Sequence, residues 1–224
     1  MTKRRYLFWD LDGTLIDTKG AGVPALLSSV EQISGRTPDF ERSSVAGLTD
    51  HQIILHLFKI LNFPVNGDQL NMALSLYSAN LSIALEDRKV EVLGNALRVL
   101  KELAKLNFIN LVCTGNIASG AEIKMKSAGL LQEFEIGNVY TSKGIEPRSA
   151  ILTEALTKTK ASSDEVVVIG DTEHDIFAAK EIGLKVIAVE SQKYSLWDLE
   201  KFNPDAILKH GWDTEDFLQT LESI

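Results

Sequence analysis

Short runs of β-forming apolar residues alternate with helix-periodic segments over most of this chain. The runs lie at residues 6–10, 108–113, 165–169 and 185–189, with a further one at 205–208. They are too short to be helices, and glycine, aspartate or asparagine flanks them, which favours buried strands of a parallel sheet. Because helical patterns separate the later runs, right-handed crossovers are expected to join the strands. The pattern predicts an α/β fold with an open, mainly parallel Rossmann-like sheet flanked by helices.

The stretch 17–89 interrupts this alternation. It contains no clear strand, and helical patterns occur at 26–33, 53–61 and 70–85. Glycine and proline lie between the three patterns, as expected for loops that separate helices. The sequence therefore predicts an α/β core made of residues 1–16 and 90–224, with a small helical domain inserted at 17–89.

Composition and charge exclude several classes of function. The formal net charge of −8 argues against broad nucleic-acid contact, because a phosphate backbone requires a basic face. No run of about 18 apolar residues is present, so no membrane span is expected. The single cysteine, Cys113, excludes an intramolecular disulfide. The apolar run at 6–9 is too short for a signal peptide. We expect a cytoplasmic protein that is a monomer or homodimer and binds neither membrane nor nucleic acid.

Polar residues follow three of the predicted strands. The first strand ends at the segment 10–14, the second at 114–116, and a later one at 170–171. Taken singly, each segment also suits a turn or a helix cap. The carboxyl ends of parallel strands meet at one edge of a sheet, so the three segments are expected to converge there, where ligands bind.

Four carboxylates belong to this predicted edge. Neighbouring carboxylates repel one another unless a cation lies among them, and oxygen ligands of this kind suit Mg²⁺. The sequence therefore predicts a magnesium site. Its candidate ligands are Asp10, Asp12, Asp171 and Asp175.

Three segments resemble signature motifs of the haloacid dehalogenase-like hydrolases. They are Asp-Leu-Asp-Gly-Thr-Leu-Ile-Asp at 10–17, Thr-Gly-Asn at 114–116 and Gly-Asp-Thr-Glu-His-Asp-Ile at 170–176. Their order and their positions at strand ends also match, and the resemblance covers essentially the whole chain. The helical insert is similar to the cap domain that these enzymes carry after the first motif.

The resemblance implies a phosphatase that works through an aspartyl-phosphate intermediate. It makes Asp10 the nucleophile, which divides one hard displacement into two easier ones. Asp12 would protonate the leaving oxygen and then deprotonate the attacking water, and its backbone carbonyl would bind the metal. Thr114 would bind the phosphoryl group, together with Gly115 and Asn116.

One motif departs from the family pattern. Many members place a lysine before Pro-x-Pro at a helix start, and alignment puts Glu146 at that position. A glutamate cannot stabilise the negative charge of a phosphoryl group, so a basic residue elsewhere must take the role of the lysine. Pro147 predicts a helix start, which places Arg148 in the first turn beside amides that favour anions. Lys143, in the preceding loop, is the alternative, and a solvated surface charge is the other interpretation of both.

The segment 47–51 is the candidate for substrate recognition in the insert. Thr49 and Gln52 form a capping-box pattern, which predicts the start of a helix. The resemblance implies that this segment faces the active site and contacts the leaving group. It therefore makes Asp50 and His51 candidate substrate-binding residues.

Several functions share the chemistry that these motifs imply. The resemblance favours a phosphomonoester phosphatase acting on a small phosphorylated metabolite, similar to phosphoglycolate phosphatases. A sugar phosphomutase of the beta-phosphoglucomutase type is the alternative, because it shares the nucleophile, the acid/base residue and magnesium. A 2-haloacid dehalogenase needs neither the metal nor a second aspartate, so Asp12 and Asp171 count against it. A phosphoacceptor domain of the response-regulator type would be shorter and would lack the insert.

Overall fold

The computed structural model describes residues 5–41, 45, 47–135, 137–209 and 211–224. Within these residues, six parallel strands form one sheet in the order β5-β4-β1-β6-β7-β8, and β2 and β3 form a separate antiparallel pair. The strands are β1 Tyr6–Trp9, β2 Ile16–Asp17, β3 Glu91–Val92, β4 Ile109–Ile117, β5 Val139–Ser142, β6 Val166–Gly170, β7 Lys185–Val189 and β8 Ala206–Leu208. The predicted open, mainly parallel sheet is confirmed.

Each face of the sheet carries its own hydrophobic core, because successive strand residues point to opposite faces. Leu7 and Trp9 belong to one core, and Phe8 between them belongs to the other. Helices α4, α5 and α9 pack on the first face, and α6, α7 and α8 on the second. These helices are α4 Ala96–Lys105, α5 Ala118–Ser127, α6 Arg148–Thr159, α7 Glu173–Glu181, α8 Leu196–Glu200 and α9 Thr214–Glu222.

Three helices occupy the stretch between β2 and β3. They are α1 Gly22–Ser34, α2 Asp50–Ile60 and α3 Gly67–Glu86, and each contacts the other two. Ile16 pairs with Val92, so the two segments that connect the helical insert to the α/β core lie next to each other. That these helices form a separate domain with the bounds 17–89 stays a prediction. None of the helices in the described ranges is both long and apolar enough to span a membrane.

Two strands differ from the sequence-based expectation. β5 was not predicted, because it lies at the edge of the sheet beside β4 alone and its segment Val-Tyr-Thr-Ser carries no apolar run. β4 extends to Ile117, so the Thr-Gly-Asn segment lies within the strand rather than after it. The pairing of β4 with β5 shifts in register between Thr114 and Ile117, and this irregular end turns polar side chains toward the edge of the sheet.

Candidate active site

The candidate active site is a cavity of about 630 Å³ at the carboxyl ends of β1, β4 and β6. Asp10, Thr114 and Asp171 come from these three strand ends and line the cavity. Leu48 and Tyr77 line it from the helical insert. The predicted convergence of the motifs on one edge of the sheet is therefore observed, with the insert lying over it.

Three buried aspartates form a cluster at the base of the cavity, and two of them, Asp10 and Asp171, line it. One carboxylate oxygen from each of Asp10, Asp171 and Asp175 lies within 4.8 Å of the other two. Glycine makes this close approach possible, because a Cβ atom on Gly13 would lie 2.2 Å from Asp171 Oδ2. Gly13 also has φ of +87°, a conformation that L side chains rarely adopt.

Burial makes it unfavourable for all three carboxyl groups of this cluster to be ionised. It raises the pKa of Asp10 to about 6, although the Arg148 guanidinium opposes the shift. It also raises the pKa of Asp171 well above the ordinary value, and the neighbouring Asp10 and Asp175 add to the effect. Neither oxygen of Asp171 has a well-formed hydrogen bond to any described residue, although the Ser191 side chain lies nearby. A buried carboxylate in this state fits a cation ligand, so the cluster could hold a metal ion.

Arg148 is the cation that the structure brings to this cluster. Its Nη2 is 2.7 Å from Asp175 Oδ1 and also forms an ion pair with Asp10 Oδ1. The side chain reaches the cluster because Arg148 is the first residue of α6, directly after Pro147. Burial would lower the pKa of the guanidinium, but Asp10 and Asp175 outweigh burial and raise it.

The structure does not bring Lys143 to the cluster. Its side chain is 66% exposed, and its Nζ lies 2.5 Å from Glu154 Oε1 on the outer surface of α6. Glu146, which aligns with the usual family lysine, is also exposed. The described contact of Lys143 is with Glu154, away from the cluster, and its place in the phosphate-binding set stays a prediction.

Asn116 connects the second motif to Asp12. Its Nδ2 donates to Asp12 Oδ2 and to Thr114 Oγ1, at 2.8 Å in each case. Lys124 Nζ donates to the same Asp12 oxygen at 2.6 Å. Burial would raise the pKa of Asp12, but Lys124 and Asn116 outweigh it and hold the pKa below the ordinary value.

Lys124 is a site residue that the sequence analysis missed. It lies in a segment with Lys126 close by, which favours the interpretation of a solvated helix surface. One signal was available: Lys124 follows Ala121 by three residues and so shares the apolar face of α5. A lysine on the buried face of a helix requires a partner in the core.

The two candidate residues of the insert separate in the structure. The predicted capping box of α2, between Thr49 and Gln52, is confirmed. Asp50 lines the cavity, and its Oδ2 accepts a hydrogen bond of 2.8 Å from the Ile117 amide. His51 lies outside the described cavity lining, where its Nδ1 is 2.9 Å from Ser142 Oγ.

The insert lies directly on the second motif. A Cβ atom on Gly115 would meet Thr49 Cα at 3.2 Å and the Leu48 carbonyl oxygen at 3.3 Å. The same atom would lie 3.2 Å from Arg148 Nη1. A side chain at this position would be crowded, because core, insert and Arg148 all meet there.

Three kinds of comparison relate this chain to known proteins. The profile of a family described as haloacid dehalogenase-like hydrolase matches residues 7–189. Over 215 residues the chain is 29% identical to a glyceraldehyde 3-phosphate phosphatase from Pyrococcus furiosus, covering 89% of this chain and 86% of that protein. It is 22% identical over 215 residues to a phosphoglycolate phosphatase from Mesorhizobium japonicum, with coverages of 92% and 91%. The crystal structure of a hydrolase from Pseudomonas syringae has the same fold, with a TM-score of 0.78 and 21% identity over 99% of each chain.

Proposed function

This chain belongs to the haloacid dehalogenase-like hydrolases and acts on phosphate esters, and we propose that it is a magnesium-dependent phosphatase of small phosphorylated metabolites. The observation that carries the proposal is the buried Asp10, held between the Arg148 guanidinium and the acidic pair Asp171 and Asp175. A carboxylate in this position is suited to act as a nucleophile, because a cation beside it can bind the phosphoryl oxygens of the substrate.

The first step transfers the phosphoryl group to the protein. An oxygen of Asp10 attacks phosphorus, and the bond from phosphorus to the leaving oxygen breaks in line with the attack. Asp12 acts here in its protonated form, which Lys124 and Asn116 disfavour in the free protein, and gives its proton to the leaving oxygen, which departs as an alcohol. Arg148 and Thr114 line the same cavity as Asp10 and supply donors to the phosphoryl oxygens.

The second step releases inorganic phosphate. Asp12, now a carboxylate, removes a proton from a water molecule that attacks phosphorus and breaks the bond to Asp10. Mg²⁺ would be held by Asp10, Asp171, Asp175 and the backbone carbonyl of Asp12, and it would neutralise charge between the phosphoryl group and the carboxylates. Arg148 remains on Asp175 through both steps and keeps the phosphoryl site oriented.

The proposal is tested by measuring phosphate release. The purified protein is offered a panel of phosphomonoesters, including glyceraldehyde 3-phosphate, phosphoglycolate and p-nitrophenyl phosphate, in Mg²⁺ and in EDTA. We expect inorganic phosphate from at least one ester in Mg²⁺ and loss of release in EDTA. Transfer of phosphate between sugar positions that depends on an added bisphosphate would contradict the proposal and identify a phosphomutase. Absence of release from every ester would also contradict it.

Asp171→Asn tests the metal site. Loss of a partner outside the ligand shell typically lowers metal affinity about 10–100-fold, so loss of a charged ligand should raise the half-saturating Mg²⁺ concentration at least about tenfold. In EDTA the variant should unfold at the same temperature as the wild type or higher, because a buried carboxylate without well-formed hydrogen bonds is removed. Asp198→Asn, which alters an exposed aspartate paired with Lys201, is the control. An unchanged Mg²⁺ titration would place the metal elsewhere.

Arg148→Ala tests the cation that replaces the family lysine. Loss of one preorganised donor to the phosphoryl group typically lowers kcat about 10²–10³-fold, and we expect a loss in this range. Arg148→Lys should recover only part, because lysine lacks the planar fork that reaches two oxygens. Lys143→Ala is the matched control and should change kcat less than about twofold, since the side chain is exposed on Glu154. A larger loss from Lys143→Ala than from Arg148→Ala would reverse this assignment.

A further inference from the structure

Lys124 is a buried lysine whose ammonium group lies beside the proposed acid/base residue. The residue is 4% exposed, and its Nζ donates to Asp12 Oδ2 at 2.6 Å. The same Nζ also donates to Asn116 Oδ1. Ammonium has three protons, and two of them are therefore used on residues of the phosphoryl site.

The remaining side of the ammonium faces the helical insert. The Tyr77 hydroxyl and the Asp50 carboxylate are close enough to affect its charge, although the hydroxyl has no well-formed hydrogen bond to a described residue, and both residues line the same cavity. Asp50 is itself fixed by the hydrogen bond from the Ile117 amide at the start of α5. The Lys124 head group is thus enclosed by core residues on one side and insert residues on the other, so it has little freedom to turn away from Asp12.

The two carboxylate oxygens of Asp12 have different contacts. Oδ2 accepts from Lys124 Nζ and from Asn116 Nδ2, while no described residue donates to Oδ1. The Asp12 side chain keeps 32% of its surface exposed, unlike the 5% of Lys124, and it faces the cavity. The oxygen that can exchange a proton with a leaving group is therefore Oδ1, and its direction is set by the two donors on Oδ2.

We propose that Lys124 is a positioning residue for proton transfer, which holds Asp12 Oδ2 so that Oδ1 faces the leaving oxygen of the substrate. The inference rests on the proposed phosphatase function and deepens it. Two of the three Lys124 donors are taken by Asp12 and Asn116, and the third is beside Tyr77 and Asp50 of the insert, so this arrangement assigns none of them to the phosphoryl group. Its effect on rate must therefore pass through Asp12, which makes the effect measurable as a coupling between two substitutions.

Lys124→Met tests the first consequence. A misplaced general acid matters most when the leaving group is poor, so the variant should lower the phosphorylation rate of an alkyl phosphate about 10–10²-fold. The loss with p-nitrophenyl phosphate should be several-fold smaller, because p-nitrophenolate needs little protonation. Lys126→Met, which changes an exposed lysine two residues along the same helix, is the control and should leave both rates unchanged. Equal losses with the two substrates would overturn the inference.

A double-mutant cycle tests the second consequence. The burst of alcohol released from the alkyl phosphate, which reports phosphorylation of Asp10, is measured for Asp12→Asn alone and for Asp12→Asn with Lys124→Met, because this substrate is expected to show the larger effect of Lys124→Met. If Lys124 acts through Asp12, adding the second change should alter the burst rate less than about twofold. If Lys124 only supports the fold, the second change should lower the rate by the same factor as in the wild-type background, and the inference fails.

The two possible failures are distinguishable. A wild-type protein that releases no phosphate from any ester contradicts the proposed function, whatever the variants do. An active wild type in which the two substitutions combine independently contradicts only the role of Lys124. If Lys124→Met does not yield folded protein, Lys124→Gln keeps an uncharged NH₂ group with two donors in place of the ammonium, and the same cycle is run with it.

Discussion

Asp10→Asn is expected to abolish turnover while leaving the protein folded. The amide matches the carboxylate in size but is a poor nucleophile, and removal of the nucleophile in covalent enzymes typically costs about 10⁴-fold or more in kcat. The fold should tolerate the change, because Arg148 keeps its ion pair with Asp175 and the number of buried carboxylates in the cluster falls from three to two. The near-isosteric amide also fits the space beside Arg148 without a rearrangement of the strand end.

Three measurements check this prediction. They are kcat with p-nitrophenyl phosphate, the thermal unfolding temperature, and incorporation of labelled phosphate from the substrate after rapid acid quench. The wild type should trap label on the protein and the variant should not. Asp39→Asn, a change of an exposed aspartate away from the cavity lining, is the control for loss of one negative charge. More than a trace of magnesium-dependent activity in the Asp10→Asn protein would refute the assignment of the nucleophile.

Asp12→Asn is expected to lower turnover about 10²–10⁴-fold, the usual range for a positioned general acid or base. The loss in the phosphorylation step should be largest for alkyl phosphates and smallest for p-nitrophenyl phosphate. The second step also loses its base, so labelled aspartyl-phosphate should accumulate in the variant rather than turn over. Comparable losses for good and poor leaving groups in the phosphorylation step would argue against Asp12 as the general acid.

The contacts around Asp12 allow the Asp12→Asn variant to keep the orientation of the side chain. The Lys124 ammonium and the Asn116 amide nitrogen both donate to one oxygen, and the amide oxygen of an asparagine at position 12 can accept from the same two donors. The introduced NH₂ group then takes the place of Oδ1. Orientation is preserved while proton exchange is lost, so the measured effect reports chemistry rather than a displaced side chain.

The convergence of the acidic residues could be predicted from the sequence. Apolar β-forming runs are long enough to identify β1 and β6, and parallel pairing obliges their carboxyl ends to meet at one edge. Asp10 and Asp171 are the first residues after these strands, so their proximity follows from topology alone. The start of α2 was also predictable, because a capping box is a local pattern of four residues.

The positions of the basic side chains were decided by the tertiary structure. Lys143 and Arg148 lie on the same connection, yet one reaches Asp10 while the other meets Glu154 in solvent. A long, flexible side chain can extend in several directions, and the start of α6 relative to β1 selects among them. The periodicity and charge of a single segment therefore do not predict which of the two side chains reaches Asp10.

The positions of Lys124 and of the α2 side chains were likewise not predictable from local sequence. Lys124 becomes buried because α5 packs between β4 and α3, and its partner Asp12 is 112 residues away in the chain. The contact of α2 with β4 places Asp50 on the Ile117 amide and His51 on Ser142. Local sequence determined β1, β4, β6, β7 and β8, the starts of α2 and α6, and the edge at which the carboxylates meet. Which cation meets which carboxylate was settled only by packing, because such pairs depend on distances between segments that are remote in sequence.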